Sequence, residues 1–259
     1  MKIDIDRFEV RLAETAEDVA AAQRLRYKVF VEEMGANATP EEHAARQERD
    51  EYDPYFEHLL LIDTQAEGDP LDKVCGVYRL MRGSTARAGI GFYGAAEYDL
   101  TKLENLKRET LELGRSCIAE EHRGGLGLHM MWNGLGQYVA KHDIGVLFGV
   151  ASFHNADPAP IAEALSYLHH NHLAPPELRV TALAENRAEM NLMPADEIDK
   201  HRAMQLIPSL IKAYLRLGGY IGEGAYVDHD FNTVDVCLIM DTQTMTEKYR
   251  AFYGRRRGA

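Results

Sequence analysis

The sequence predicts a mixed α/β fold, with a central sheet flanked by helices. Three observations carry the prediction. Short apolar or alternating runs of strand length recur at 8–12, 57–63, 74–81, 110–118, 146–153 and 234–240. Helical patterns fall between several of them, at 15–34, 128–141, 160–171 and 208–217. No internal repeat or linker interrupts this order, so residues 1–259 read as a single layered domain.

The first strand is followed by Thr15-Ala16-Glu17-Asp18, a capping box that starts a helix. That helix carries Val19, Leu25, Val29 and Phe30 on its apolar side and stops at Gly35. Residues 36–53 are polar and charged and read as a partly helical loop. The runs EHLLLID (57–63) and VCGVYRLM (74–81) lie at hairpin distance. The stretch 83–94 is Gly-rich and loop-like, and 177–200 carries no clear pattern. The helix at 208–217 stops at Gly218-Gly219.

Composition narrows the class of function. The chain holds 29 Lys and Arg against 41 Asp and Glu, a net charge of −12. That balance excludes general nucleic-acid binding, which favours basic surfaces. The basic groups Arg79/Arg82/Arg87, Lys102/Lys107/Arg108 and Arg255–Arg257 are solvated surface or docking points for an acidic protein or anionic membrane. Cys75, Cys117 and Cys237 form neither a metal motif nor a disulfide framework, and Cys75 and Cys117 sit in apolar runs as buried thiols. With no signal peptide and no spanning apolar run, the expectation is a cytoplasmic protein whose membrane contact is peripheral. His169, His170 and His172 lack zinc-ligand spacing, so no metal is expected.

One segment carries chemistry. The strand at 110–118 leads into His122-Arg123-Gly124-Gly125-Leu126-Gly127 and then a helix. A Gly turn at a helix N-terminus binds anions through exposed N–H groups and the helix dipole. Gly125 and Gly127 let the backbone come close to a ligand. The segment has neither the Lys-Ser/Thr of a P-loop nor the acidic signal of a Rossmann unit.

The arrangement is similar to the pantetheine-binding segment of GNAT acyltransferases, and the fold class is accordingly GNAT-like. Arg26-Tyr27-Lys28-Val29-Phe30, the cluster Glu48/Asp50/Asp53, Arg79 and Glu112-Leu113-Gly114-Arg115 resemble the spaced polar positions of acyl-homoserine-lactone synthases. The run 208–219, followed by 230–235, resembles ornithine N-acyltransferases of the same superfamily, which carry a C-terminal extension (here about 175–259) that lactone synthases lack. His122 stands where the GNAT turn has Arg or Gln, a departure that suits a carrier-protein donor better than a coenzyme A nucleotide.

The resemblance implies transfer of a 3-hydroxyacyl chain from acyl carrier protein to the α-amine of L-ornithine. No bound cofactor is implied, because the donor brings its own 4′-phosphopantetheine. Glu112 would accept the amine's proton, with Arg115 beside it; an offset of three places them on opposite strand faces unless a bulge at Gly114 intervenes. Glu48, Asp50 and Asp53 would attract the ammonium groups. Arg26 would hold the substrate carboxylate or steady that acidic cluster. Arg123, Gly125 and Gly127 would hold the phosphopantetheine phosphate, and Asp228 and Asp230 are further acceptor-site candidates. The rival reading is a lactone synthase that uses S-adenosylmethionine.

Overall fold

The computed structural model describes residues 7–123 and 126–244. Its strands are β1 (Phe8–Leu12), β2 (Glu57–Asp63), β3 (Val74–Arg82), β4 (Tyr98–Asp99), β5 (Glu109–Ile118), β6 (Ile144–His154), β7 (Thr181–Ala182), β8 (Arg187–Ala188), β9 (Tyr220–Ile221), β10 (Ala225–Asp228) and β11 (Thr233–Asp241). Its helices are α1 (Ala16–Arg26), α2 (Pro40–Ala45), α3 (Gly83–Ala88), α4 (Thr101–Glu104), α5 (Leu126–Lys141), α6 (Ala162–His172), α7 (Lys200–Leu206) and α8 (Ser209–Arg216). The chain divides into two compact units, Met1–Met81 with Leu113–Asp143, and Arg82–Glu112 with Ile144–Ala259.

In the first unit β1 pairs antiparallel with β2, and β2 with β3. The capping box forms as expected: Thr15 accepts the Asp18 N–H while Asp18 accepts the Thr15 N–H. Beyond Arg26 the predicted helix widens into a π-helical segment, Tyr27–Glu33, and Gly35 closes it with φ of +79°. Arg24 ties α1 to the 70–73 turn through Asp69 and Asp72, at 2.8 and 3.0 Å. Helix α5 lies close on β1 and β2 because position 134 is glycine: a Cβ there would sit 2.5 Å from Val10. Leu60, Leu61, Val77 and Met81 are fully buried in this unit's core.

In the second unit the first half of β5 pairs parallel with β6. Antiparallel pairs then join β6 to β11, β11 to β10, and β10 to β8. Strand β11 is buried along its whole length, and so reads as a continuous apolar run interrupted only by Asp235. The 83–94 stretch is not a plain loop; it forms α3 and a 3₁₀ turn over 93–96. Gly83 is there for close approach, since a Cβ would fall 2.3 Å from the Thr110 hydroxyl. Helix α7, unassigned from sequence, is only seven residues long; Asp199 caps it, and Arg202 binds Glu163 of α6.

Candidate active site

Two groups of charged side chains stand out, one in each unit. In the first unit Arg26, Arg79 and Arg115 meet Glu48, Asp50 and Asp53. Arg26 grips both oxygens of Asp53, at 2.7 and 2.9 Å, and reaches Glu48 at 2.5 Å. Arg79 binds Asp50 and Asp53 at 2.6 and 2.9 Å, and its guanidinium lies over the Phe56 ring. Arg115 binds Glu48 at 3.1 Å and Asp50 at 3.4 Å. Arg26 and Arg79 have no exposed surface. Burial alone would push Asp53 up, but the hydrogen bonds and charge of Arg26, with Arg79, hold it well below the usual carboxylate range. Burial pulls Arg26 down, and Glu48 and Asp53 more than offset that.

This geometry decides between the two roles open to Arg26: it steadies the acidic cluster. The three carboxylates expected to attract ammonium groups each touch two arginines, so their charge is largely spent within the unit. Arg79, read from sequence as part of a surface patch, is the buried centre of this network.

Glu112 and Arg115 belong to different units. The irregularity expected at Gly114 falls one residue later: Arg115 itself is left-handed, with φ of +48°. Such a residue breaks strand alternation and carries backbone strain of about 1–3 kcal/mol that its surroundings must over-determine; its ion pairs to Glu48 and Asp50 supply that constraint.

In the second unit the strand registers assemble a polar face. Glu112 lies beside Phe148, Cys237 beside Val150, Asp235 beside Ser152 and Thr233 beside His154. Tyr226 is opposite Asp235, and Asp228 is opposite Thr233. Partners share a face, and so do residues two apart on a strand. Glu112, Ser152, Asp228, Thr233 and Asp235 therefore all project to one side. The 92–97 segment covers part of it. The Phe92 ring packs edge-on against Phe148, and the Tyr93 and Gly94 N–H groups donate to the two Glu112 oxygens at 2.9 and 2.6 Å. Burial raises the Cys237 thiol, and the negative fields of Glu112 and Glu97 add to the rise.

Carboxylate oxygens of Glu97, Asp228 and Asp235 lie within 4.8 Å of one another. Glu97 and Asp235 are about 95% and 97% buried, from exposures of 5% and 3%. The other acid of β11, Asp241, is instead neutralised by Arg108 at 2.7 and 2.8 Å. The sequence reading found Asp228 but paired it with Asp230, which is exposed and closes a turn by donating its N–H to Asp228. Glu97 and Asp235 were missed; the one available signal was an acid inside the apolar run VDVCLIM.

The Gly turn is differently employed from the expectation. Arg123 binds both oxygens of Glu33 and the Ile118 carbonyl. Gly127 is buried, and a Cβ there would meet Leu61 at 3.1 Å and the His122 carbonyl at 3.2 Å, so its smallness serves packing of α5 on β2. His122 turns toward Asp63 and the Phe8 ring. Gly125 lies outside the described residues. Of the basic patch, Arg108 is committed to Asp241 and Lys102 to the Pro176 carbonyl, leaving Lys107 exposed. No helix among the described residues is long and apolar enough to cross a membrane.

Comparisons with known proteins bear on this geometry. Residues 25–133 match the family described as an acetyltransferase (GNAT) domain. The chain is 52% identical over 250 residues to an L-ornithine N(alpha)-acyltransferase of Rhodobacter capsulatus, covering 96% of this chain and 95% of that one. It is 40% identical over 252 residues to a protein of the same name from Agrobacterium fabrum, covering 96% and 86%. Among solved structures, FeeM, an N-acyl amino acid synthase from uncultured soil microbes, superposes with a TM-score of 0.53 at 10% identity over 92% of each chain. The AHL synthase LasI superposes with a TM-score of 0.51 at 16% identity over 95% of each. The GNAT-type α/β fold expected from the sequence is the fold observed.

Proposed function

Because the chain belongs to the family of L-ornithine N(alpha)-acyltransferases, we propose that it moves a 3-hydroxyacyl chain from acyl carrier protein to the α-amine of L-ornithine, the first step of ornithine lipid synthesis. The observation that carries this reading is the 52% identity to a relative of that name across nearly the full length of both chains. The face built around Glu112 supports it chemically.

The α-ammonium must lose a proton before its nitrogen can attack the thioester carbonyl. Glu112 accepts that proton, directly or through water. Its two backbone donors, Tyr93 and Gly94, fix the carboxylate, and each oxygen keeps a second lone pair for the substrate. The new C–N bond gives a tetrahedral oxyanion. Its collapse breaks the C–S bond, and the pantetheine sulfur leaves and takes up a proton. No acyl-enzyme is needed: all three cysteines are buried, and burial raises Cys75 and Cys117 to about 12.

Arg26, Glu48, Asp50 and Asp53 act in this reading by fixing Arg115 and the loop that precedes β2. Arg123 and the Gly turn are the candidate pantetheine-phosphate site, with Arg123 exchanging Glu33 for the phosphate. The enzyme works in the cytoplasm, in peripheral contact with the inner membrane that takes up its lipid product.

The test is purified protein supplied with 3-hydroxyacyl carrier protein and a panel of amino acids, read by mass spectrometry. N-acylornithine is the expected product. An acyl-homoserine lactone formed from S-adenosylmethionine, with ornithine untouched, would overturn the proposal.

A further inference from the structure

We infer that Glu97, Asp228 and Asp235, with the Thr233 hydroxyl, form the pocket for the side-chain ammonium of a diamino-acid substrate; this rests on the proposed function and adds the residues that select the acceptor. The argument begins with placement. Asp235 sits in the buried strand β11, where an ionised carboxylate is costly unless a cation accompanies it. Its neighbours within 4.8 Å are two more carboxylates.

A second observation comes from Thr233. It is 97% buried, being 3% exposed, and its hydroxyl makes no hydrogen bond. Thr233 faces Asp228 directly across the β10–β11 pair and is two residues from Asp235 on the same strand face. A fourth polar group is thus presented on the side where the three acids converge.

The spacing fits an ammonium. A tetrahedral –NH₃⁺ has three donors, and three bonds of about 2.9 Å hold their acceptors about 4.7 Å apart. The three carboxylate oxygens lie no farther apart than 4.8 Å. Tyr98 fixes the backbone beneath them: its buried hydroxyl lies 2.9 Å from the Asp235 carbonyl and 3.1 Å from that of Gly224. The α-amine must become neutral to react, whereas this cluster favours a cation that stays charged. The amine held here is therefore the side-chain one, and the site distinguishes a diamino acid from its monoamino analogue.

The experiment compares L-ornithine with L-norvaline, the same carbon chain without the side-chain amine, using carrier-protein donor and the intact enzyme. Buried polar sites reject ligands that lack the matching group, so the wild type should favour ornithine by about 100-fold or more in kcat/KM. Asp235→Asn and Glu97→Gln should each cut that preference by about 10-fold or more, mainly through KM for ornithine, while norvaline turnover stays near the wild-type level. Asp228 is half-exposed, so Asp228→Asn carries the same test should a buried variant fail to fold. An unchanged ornithine-to-norvaline ratio in folded variants overturns the inference while leaving the proposed function standing. Equal use of both amino acids by the wild type does the same. Failure of the wild type to acylate ornithine at all removes both. MgCl₂ titrated alone, binding in a way that Asp235→Asn abolishes, would assign the cluster to a metal and also overturn it.

Discussion

Arg26 and Asp53 form a two-point ion pair, Nη1 to Oδ1 at 2.7 Å and Nη2 to Oδ2 at 2.9 Å, with the arginine wholly shut from solvent. Removing one partner of a buried pair leaves the other's charge uncompensated, at about 3–5 kcal/mol. Arg26→Met should lower unfolding stability by that order, read from urea titration. Arg26→Lys should recover little of it, because an ammonium cannot span both oxygens as the guanidinium fork does.

The same pair sets a pH dependence. Asp53 is held below its ordinary value by Arg26 and Arg79, so between the folded and unfolded values the unfolded chain binds more protons. The stabilisation is therefore complete above the ordinary aspartate value of about 3.9 and drains as pH falls toward the depressed folded value. Denaturant titrations on the acid side of neutrality should show stability falling with pH. Asp53→Asn should flatten that limb by up to one proton, about 1.4 kcal/mol per pH unit. An acid limb of equal slope in the variant would remove Asp53 from the account.

How much of this was open to sequence reading follows from particular residues. Phe8–Leu12 and Glu57–Asp63 alternate or run apolar between polar ends, and both strands form as read. Thr15 and Asp18 spell a cap whose geometry is local, so it too was legible. The short strands β8, β9 and β10 carry no period long enough to detect; only their pairing with longer strands defines them. The site divides the same way. Glu48, Asp50 and Asp53 were visible as a cluster, but that each would be claimed by two arginines depends on residues 22 to 67 positions away. Glu97 and Asp235 are 138 residues apart, and nothing local joins them.

Glu112 can be tested against its own support. Glu112→Gln should reduce kcat by about 10²–10⁴, the usual size of a general-base contribution, with the thermal midpoint recorded alongside. Gly94→Ala asks a different question. Its Cβ would sit 3.0 Å from the Glu112 oxygen, displacing the carboxylate without changing its charge. A smaller loss, of about 10-fold, is expected from misplacement. Undiminished turnover in Glu112→Gln would take the base role from this residue.

Helix α5 offers a packing test away from the chemistry. Gly134→Ala places a Cβ 2.5 Å from Val10 and 3.5 Å from Leu59, so strand or helix must shift. Overpacking of this kind costs about 1–3 kcal/mol, and the thermal midpoint should fall accordingly. Val10→Ala in the same chain should restore part of the loss.

Lys107 is the exposed residue of its basic group, since Arg108 and Lys102 are engaged within the fold. Lys107→Glu should raise KM for acyl carrier protein and not for ornithine. The effect should shrink as ionic strength approaches physiological values, where charges more than about 8 Å apart are largely screened. A salt-independent change would place the docking surface elsewhere.

Cys75, Cys117 and Cys237 are buried free thiols, two in the first unit and one in the second. With the thiolate form suppressed by burial, a maleimide reagent can reach them only during opening events. The wild-type chain thus carries built-in clocks: the labelling rate of Cys237 times excursions of one unit, and those of Cys75 and Cys117 time the other. A cysteine added on the surface would react far ahead of all three, leaving a clean handle for a probe.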